Sequence, residues 1–338
     1  MICRKCAENV MSGIPSTFNT SRNYTVLGRG PAGRDSHMDV NISVIQLIRG
    51  RKYQRVEDIR RLAAKKIADT IVVMPRDASL PLDDLTSEFP HLRIILFPRE
   101  MYYGTASVGS LINISMGEAK RDLVCVIWND MELHLSAAAV SGLDPSVLCF
   151  LPLLKDSKGN PVPSLFVPAG SPSMKSITFR EPLGILPDGR EHESLLAADY
   201  CGVYNRQRFI RSGGYDEELT NQHWQKLEFG FRSRLWGERF VSLNSLRFQY
   251  LEAISPEEST PDEDYLRFYV KTLAVRYTGD RAELPVGKFW QFYRAGRINF
   301  FQALDQFRRL RRWVRQHRYN YRWDARQMIE LWGENHVF

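Results

Sequence analysis

The sequence lacks any apolar run approaching the roughly 20 residues that a membrane-spanning helix requires. Its first residues also lack the apolar core of a secretory signal peptide. Cysteine is scarce, and three of the five cysteines stand in or beside apolar stretches, which is typical of buried, reduced thiols. Cys3 and Cys6 form a Cys-x-x-Cys pair, but no second pair follows at zinc-binding spacing. We therefore expect a cytoplasmic protein whose cysteines are reduced.

Regular periodicity is also missing from the N-terminal part of the chain. Residues 1–37 are rich in Ser, Asn, Gly and Arg, and we expect them to form a flexible tail. The segment contains a Gly-x-Gly-x-x-Gly match at 28–33, but no helix follows that could receive a pyrophosphate, so we reject a dinucleotide site there. The rest divides by composition into a main domain at 38–255 and a basic, aromatic, helical region at 256–338.

Strand-like and helix-like patterns alternate through the main domain. We expect strands at 42–48, 70–74, 92–97 and 123–128, and helices at 56–68, 106–120 and 224–235. This order predicts an α/β fold with a mixed, mostly parallel sheet covered by helices on both faces, and a helical appendage after it. The Pro-, Gly- and Ser-rich stretch at 156–190 is typical of an active-site loop or a linker.

The strand at 123–128 ends abruptly in polar and acidic residues, Asn129, Asp130 and Glu132. A carboxylate at the carboxyl end of a central strand lies where such sheets open into their ligand crevice. Mg²⁺ and Mn²⁺ prefer oxygen ligands and often share their coordination with phosphates. We predict a metal–diphosphate site with Asp130 and Glu132 as ligands and Asn129 beside them; an ordinary polar turn is the alternative.

The order of these features resembles that of the GT-A-type glycosyltransferases, specifically the large inverting family 2, over residues 41–248. The loop at 76–79 resembles the family's nucleotide loop and carries Asp77 and Ser79. Asn113 keeps the family's spacing before the diphosphate strand. Gly-Gly-Tyr-Asp-Glu at 213–217 is similar to the family's turn beside the acceptor site.

Two positions depart from the family's pattern. The family's metal motif keeps only its last acid, Asp130, and the position of the catalytic-base Asp holds Lys226. Glu228 lies two residues further on, which turns its side chain by about 200° on a helix. We take Glu228 and Lys226 as the catalytic candidates. Pairing of Glu228 with Arg232, four residues later, is the structural alternative.

The resemblance implies a metal-dependent glycosyltransferase that moves a sugar from a nucleotide-diphosphate donor to a glycan or lipid-linked acceptor, with Mn²⁺ or Mg²⁺ as cofactor. Two alternatives stay open: a catalytically degenerate binding protein of the same fold, which Lys226 favours, and a nucleotidyltransferase. The predicted nucleotide-binding residues are Arg49, Asp77, Ser79, Asn113 and Asn129, and the predicted acceptor-binding residues are Asp216, Glu217 and Trp224.

Aromatic and basic residues interleave through the C-terminal region, most densely at 307–318. Such a composition suits packing against the main domain, peripheral contact with an anionic membrane, or binding to nucleic acid. Packing is the first expectation, membrane contact the second, and nucleic acid the weakest. The expected location is the cytoplasm, with peripheral contact at the membrane.

Overall fold

The computed structural model describes residues 23–30, 40–50, 56–76, 80–170, 178–179, 191–253, 256–296 and 298–335. The strands in these ranges are β1 (Thr25–Leu27), β2 (Val40–Leu47), β3 (Ile67–Pro75), β4 (Leu92–Phe97), β5 (Leu123–Trp128), β6 (Met131–His134), β7 (Cys149–Lys155), β8 (Pro168–Ala169), β9 (Thr178–Phe179), β10 (Glu193–Ser194), β11 (Gly202–Asn205), β12 (Phe240–Tyr250), β13 (Arg276–Thr278) and β14 (Arg281–Glu283). The α-helices are α1 (Val56–Ala63), α2 (Leu82–Glu88), α3 (Val108–Glu118), α4 (Ala137–Val140), α5 (Arg206–Arg211), α6 (Gln222–Leu235), α7 (Glu263–Phe268), α8 (Lys288–Gly296), α9 (Phe300–Gln316) and α10 (Ala325–Asn335). π-Helical turns cover Met101–Thr105 and Tyr269–Leu273, and a 3₁₀ turn covers Ala198–Tyr200.

One mixed sheet organises the main domain, with strand order β1-β4-β3-β2-β5-β11-β7-β12-β10 and β6 paired to β12. The four strands β4, β3, β2 and β5 run parallel, as the alternating pattern predicts. The buried, β-branched composition of β2, β3 and β5 is typical of parallel strands that are covered on both faces. Beyond β5 the sheet becomes mixed, because β11 runs antiparallel to both β5 and β7.

Two predictions near the N-terminus need correction. Thr25–Leu27, which we expected inside a flexible tail, forms β1 and pairs antiparallel with β4, so the outer edge of β4 gains a hydrogen-bonded neighbour. The helix expected at 56–68 ends at Ala63, and β3 begins at Ile67. Lys66 has a φ of 39°, a left-handed backbone conformation that cannot continue a helix. Residues 1–22 and 31–37 of the expected tail lie outside the described residues.

Two hydrophobic cores meet at α6. The first surrounds the sheet and takes Phe229 from this helix. The second takes Trp224 and Phe231 from the same helix and packs them against α7 to α10. The C-terminal region therefore shares α6 with the main domain, and its packing against that domain confirms the first expectation for the aromatic residues that lie in the second core.

The described part of the chain contains no helix that is both long enough and apolar enough to cross a bilayer.

Candidate functional site

The candidate site lies where the strand order of the parallel half reverses direction. From β2 the chain passes through α1 to β3 on one side, and it returns later to place β5 on the other side of β2. Leu47 and Trp128 are partners at the carboxyl ends of these two strands. Ligand crevices of open α/β sheets form at such a reversal. The fold thus brings Arg49, which follows β2, to Asp130, which follows β5.

Arg49 is the centre of a compact group of charged and aromatic side chains. Its Nε donates to Oδ2 of Asp130 at 2.8 Å, and its Nη1 donates to both carboxylate oxygens of Asp199 at 2.9 and 2.8 Å. The guanidinium lies 4.6 Å from the ring centroid of Trp128 and 5.8 Å from that of Tyr250. We call these five residues the Arg49 cluster. The cluster contains two carboxylates and one guanidinium, so negative charge is in excess and a further cation can bind there.

Asp199 is a member of this cluster that the sequence analysis missed. It has a φ of 50° and is followed by Tyr200 with a φ of 62°, so two successive non-glycine residues adopt a left-handed conformation that is costly and often found at functional sites. Trp128 Nε1 donates to the Asp199 carbonyl at 2.9 Å, and the Tyr250 hydroxyl donates to its carboxylate at 3.0 Å. Burial raises the pKa of Asp199 above its usual value, although the Arg49 charge opposes this shift. The signal in the sequence is a single acid inside the apolar run at 195–204.

Two buried polar atoms at the end of β5 have no hydrogen-bond partner within the described residues: Oδ1 of Asp130 and Nδ2 of Asn129. The side-chain oxygen of Asn129, Oδ1, accepts from the backbone N–H of Arg49 at 2.9 Å. Buried polar atoms normally have a partner, so these two atoms are available to a ligand or a water molecule.

The donor set suits a hard divalent cation that also binds phosphate. Asp130 and Asp199 both place carboxylate oxygens at the Arg49 guanidinium. A metal that also binds a diphosphate needs only one or two carboxylates from the protein. No three His, Cys, Asp or Glu side chains in the described ranges converge to hold a metal without such a ligand. Glu132, predicted as the second metal ligand, is half exposed and pairs with His134 at 3.8 Å.

A second charged group includes the predicted catalytic position. Lys226 is almost fully buried, and its ammonium forms an ion pair with Glu257 and lies 5.3 Å from the ring centroid of Tyr200. Glu257 also lies 3.5 Å from Nδ1 of His223. Burial alone would raise the pKa of Glu257, but the His223 hydrogen bond and the Lys226 charge outweigh it and lower the pKa to about 2. Because Tyr200 follows Asp199 directly, this group lies beside the Arg49 cluster.

Glu228, the other catalytic candidate, belongs to a buried network of charges. Its carboxylate accepts from Arg232 Nε at 2.7 Å and pairs with Lys271 at 2.9 Å. Lys271 also pairs with Asp216 at 2.8 Å, and Arg267 joins Asp216 at 3.1 Å. Burial would raise the pKa of Glu228, but the charges of Arg232 and Lys271 hold it below its ordinary value. The pairing of Glu228 with Arg232 that we named as the structural alternative is therefore present.

Two other predicted site residues hold backbone segments near the site. Asn113 is fully buried, donates to the Tyr215 carbonyl and accepts from the Tyr215 N–H, both at 2.9 Å, and lies 3.5 Å from Glu217. Trp224 is buried in the second core and donates to the Thr260 carbonyl at 3.2 Å. These contacts fix the backbone next to the site. Asp77 and Ser79 lie outside the described residues.

Comparisons with known proteins address the fold. No protein-family model matches this chain, and no curated protein sequence matches it. The structure is similar to a crystal structure of GalNAc-T7 with UDP, GalNAc and Mn²⁺, with a TM-score of 0.52 and 13% sequence identity. That match covers 83% of this chain but only 57% of the GalNAc-T7 chain. A crystal structure of S. aureus TarS 1–349 in complex with UDP matches over 88% of this chain and 93% of its own, with 14% identity and a TM-score of 0.44. The architecture and the similarity to GalNAc-T7 together show that this chain has the fold of the GT-A-type glycosyltransferases.

Proposed function

We propose that this chain binds a nucleoside-diphosphate sugar at the Arg49 cluster and transfers the sugar to a hydroxyl group of a glycan or a lipid-linked acceptor. The observation that carries the proposal is the pair of carboxylates, Asp130 and Asp199, held on one guanidinium at the point where the strand order reverses. The similarity to GalNAc-T7, which was solved with UDP, GalNAc and Mn²⁺, supports this class of donor.

The leaving diphosphate gains negative charge as the sugar departs, and this charge must be stabilised. A divalent metal at the cluster would be held by Asp130 and Asp199 and would supply that stabilisation. Arg49 is the cation of the protein at the same place, and its planar guanidinium can bind two phosphate oxygens. The free Nδ2 of Asn129 is a donor for a diphosphate or ribose oxygen. The nucleotide-binding roles of Asp77, Ser79 and Asn113 and the metal role of Glu132 stay predictions.

The acceptor hydroxyl must lose a proton if the transfer is a direct displacement. His223 and Glu257 form a histidine–carboxylate pair next to the predicted base position, in which the carboxylate orients the imidazole. We assign to His223 the role of the base that accepts the proton of the acceptor hydroxyl. Lys226 is a positioning residue here, because its charge holds Glu257 ionised and in place. The acceptor-binding roles of Asp216, Glu217 and Trp224 and the catalytic role of Glu228 stay predictions.

Calorimetric titration with a panel of nucleoside diphosphates, with Mn²⁺ and with a chelator, tests the donor site. We expect one nucleotide to bind the wild type, and Asp130→Asn and Asp199→Asn each to weaken its binding at least tenfold. Asp83→Asn, which changes an exposed acid of α2, is the matched control and should bind normally. Failure of the whole panel to bind, or equal binding by all variants, would refute the site.

A transfer assay then separates the enzyme from the degenerate binding protein. The assay follows release of the nucleoside diphosphate from the matching sugar nucleotide in the presence of glycan and lipid-linked acceptors. His223→Gln should abolish release that depends on acceptor while leaving nucleotide binding unchanged. Tight binding of the sugar nucleotide without transfer to any acceptor would favour the binding protein.

A further inference from the structure

Four aromatic side chains of α8 and α9 form a cluster, and three of them are exposed. It consists of Trp290 and Tyr293 of α8 and Phe300 and Phe301 of α9. Phe301 is 80% exposed and Trp290 is 56% exposed, which is unusual for side chains of this size. Their ring centroids are 5.7 Å apart for Tyr293 and Phe300, and 5.7 Å apart for Phe300 and Phe301. We call this group the aromatic cluster.

Helix α9 continues from the aromatic cluster and has two opposite faces. Its inner face packs into the second core through side chains four, three and four residues apart: Ala303, Phe307, Leu310 and Val314. Arg308, Arg312 and Arg315 follow Phe301 by 7, 11 and 14 residues, so they lie within about 40° of it on the opposite, exposed face. We call these three arginines the basic face.

A cleft of about 240 Å³ opens beside the basic face, between β14 and α9, and three arginines line it: Arg311, Arg315 and Arg318. Glu283 is the only acid among its lining residues in the described part of the chain. The one acid on α9 itself, Asp305, pairs with Arg309 at 2.7 Å and leaves the basic face uncompensated by its own helix. The positive charge is therefore continuous from the cleft to the exposed face.

We propose that the aromatic cluster and the basic face dock this protein on an anionic phospholipid membrane, with α9 lying parallel to the surface. Aromatic side chains bury favourably at the boundary between headgroups and acyl chains, while arginines beside them bind lipid phosphates. This surface is separate from the donor site, and its assignment does not depend on the proposed transferase activity.

The arrangement of the rings favours a membrane over a single-stranded nucleic acid. Bases stack on aromatic faces that lie open and flat. In this cluster three pairs of neighbouring rings meet edge to face, at 84° for Tyr293 and Phe300, 83° for Phe300 and Phe301, and 71° for Trp290 and Tyr293. The pair of Trp290 and Phe300 is tilted at 39°. Such contacts occupy ring faces and leave a rounded apolar projection, which suits insertion between lipid headgroups.

Co-sedimentation with vesicles of phosphatidylcholine, with and without phosphatidylserine, tests the docking surface on the full chain. We expect binding only to the anionic vesicles. Arg308→Gln/Arg312→Gln/Arg315→Gln should weaken it roughly 100-fold, since each basic residue near such a surface contributes about fivefold. The matched control, Arg61→Gln/Lys158→Gln/Arg211→Gln, removes the same charge from exposed positions elsewhere and should bind normally.

The aromatic contribution has its own variant and control. Trp290→Ser/Phe301→Ser should weaken vesicle binding roughly tenfold or more, because two large apolar side chains no longer leave water. Tyr103→Ser, at another exposed aromatic residue, should have no effect. The proposal would be overturned if each control variant lost as much vesicle binding as the variant that it matches. So would vesicle binding that inorganic phosphate alone abolishes, or tighter binding of single-stranded RNA that persists in Trp290→Ser/Phe301→Ser.

Discussion

Replacing Glu228 by Gln separates a structural from a catalytic role for this residue. The carboxylate is completely buried between the Arg232 guanidinium and the Lys271 ammonium, and both cations are almost fully buried as well. Removing one partner from a buried ion pair leaves the others uncompensated, which typically costs about 3–5 kcal/mol of folding free energy. We therefore expect Glu228→Gln to lower the free energy of unfolding by about this amount.

Urea unfolding followed by intrinsic fluorescence measures the effect. The matched control is Glu218→Gln, since Glu218 also pairs with an arginine, Arg267, but is 65% exposed. An exposed pair contributes about 0–1 kcal/mol, so this variant should unfold close to the wild type. If Glu228 is instead a catalytic base, Glu228→Gln would have the same free energy of unfolding as the wild type but would lose transfer activity. A loss of stability no larger than that of the control would refute the structural reasoning.

Three further predictions concern the site and the C-terminal region. The pKa of Glu257 falls from 4.5 to about 2 on folding, so its contribution to stability is present above pH 4.5 and is lost as the pH falls towards 2. In urea titrations across this range, the free energy of unfolding of Glu257→Gln should depend less on pH than that of the wild type. Arg49→Gln frees the carboxylates of Asp130 and Asp199 from their cation. We therefore expect this variant to bind Mn²⁺ alone more tightly than the wild type in calorimetry. Equal or weaker binding would contradict a cation site shared by the two carboxylates. Truncation after Pro261 exposes Trp224 and Phe231 of the second core, so the product should be insoluble or lack a cooperative unfolding transition.

Much of the fold is encoded in local patterns and could be predicted from the sequence. The central parallel strands are apolar, β-branched runs of ordinary length, and their alternation with helices fixes a parallel arrangement. β1 was not predicted because a segment of three residues is too short to show a hydrophobic period. Its conformation depends on pairing with β4, which is distant in sequence. The early end of α1 depends on a single left-handed residue, Lys66, for which its residue type gives no warning.

The candidate site was predictable only where its residues follow strands. Arg49 and Asp130 stand directly after β2 and β5, so a parallel arrangement of those strands implies that they meet. Asp199 and Glu257 reach the same region from loops far away in sequence, and only the folded chain shows their partners. For the same reason the sequence could not decide whether Glu228 faces solvent, since its burial depends on Lys271 from the C-terminal region.

The buried network around Glu228 constrains how this sequence can vary. Asp216 and Glu228 come from the main domain, whereas Lys271 comes from the C-terminal region and neutralises both of them. A substitution that removes the lysine takes one of two cations from each buried acid and leaves Asp216 with Arg267 and Glu228 with Arg232. We expect it to be accompanied by a compensating change in the main domain. Homologous sequences should therefore keep or lose these charges together. Exchanging the C-terminal region between relatives should likewise require exchanging the charges that it contacts, Glu228 on α6 and Asp216 in the turn before it.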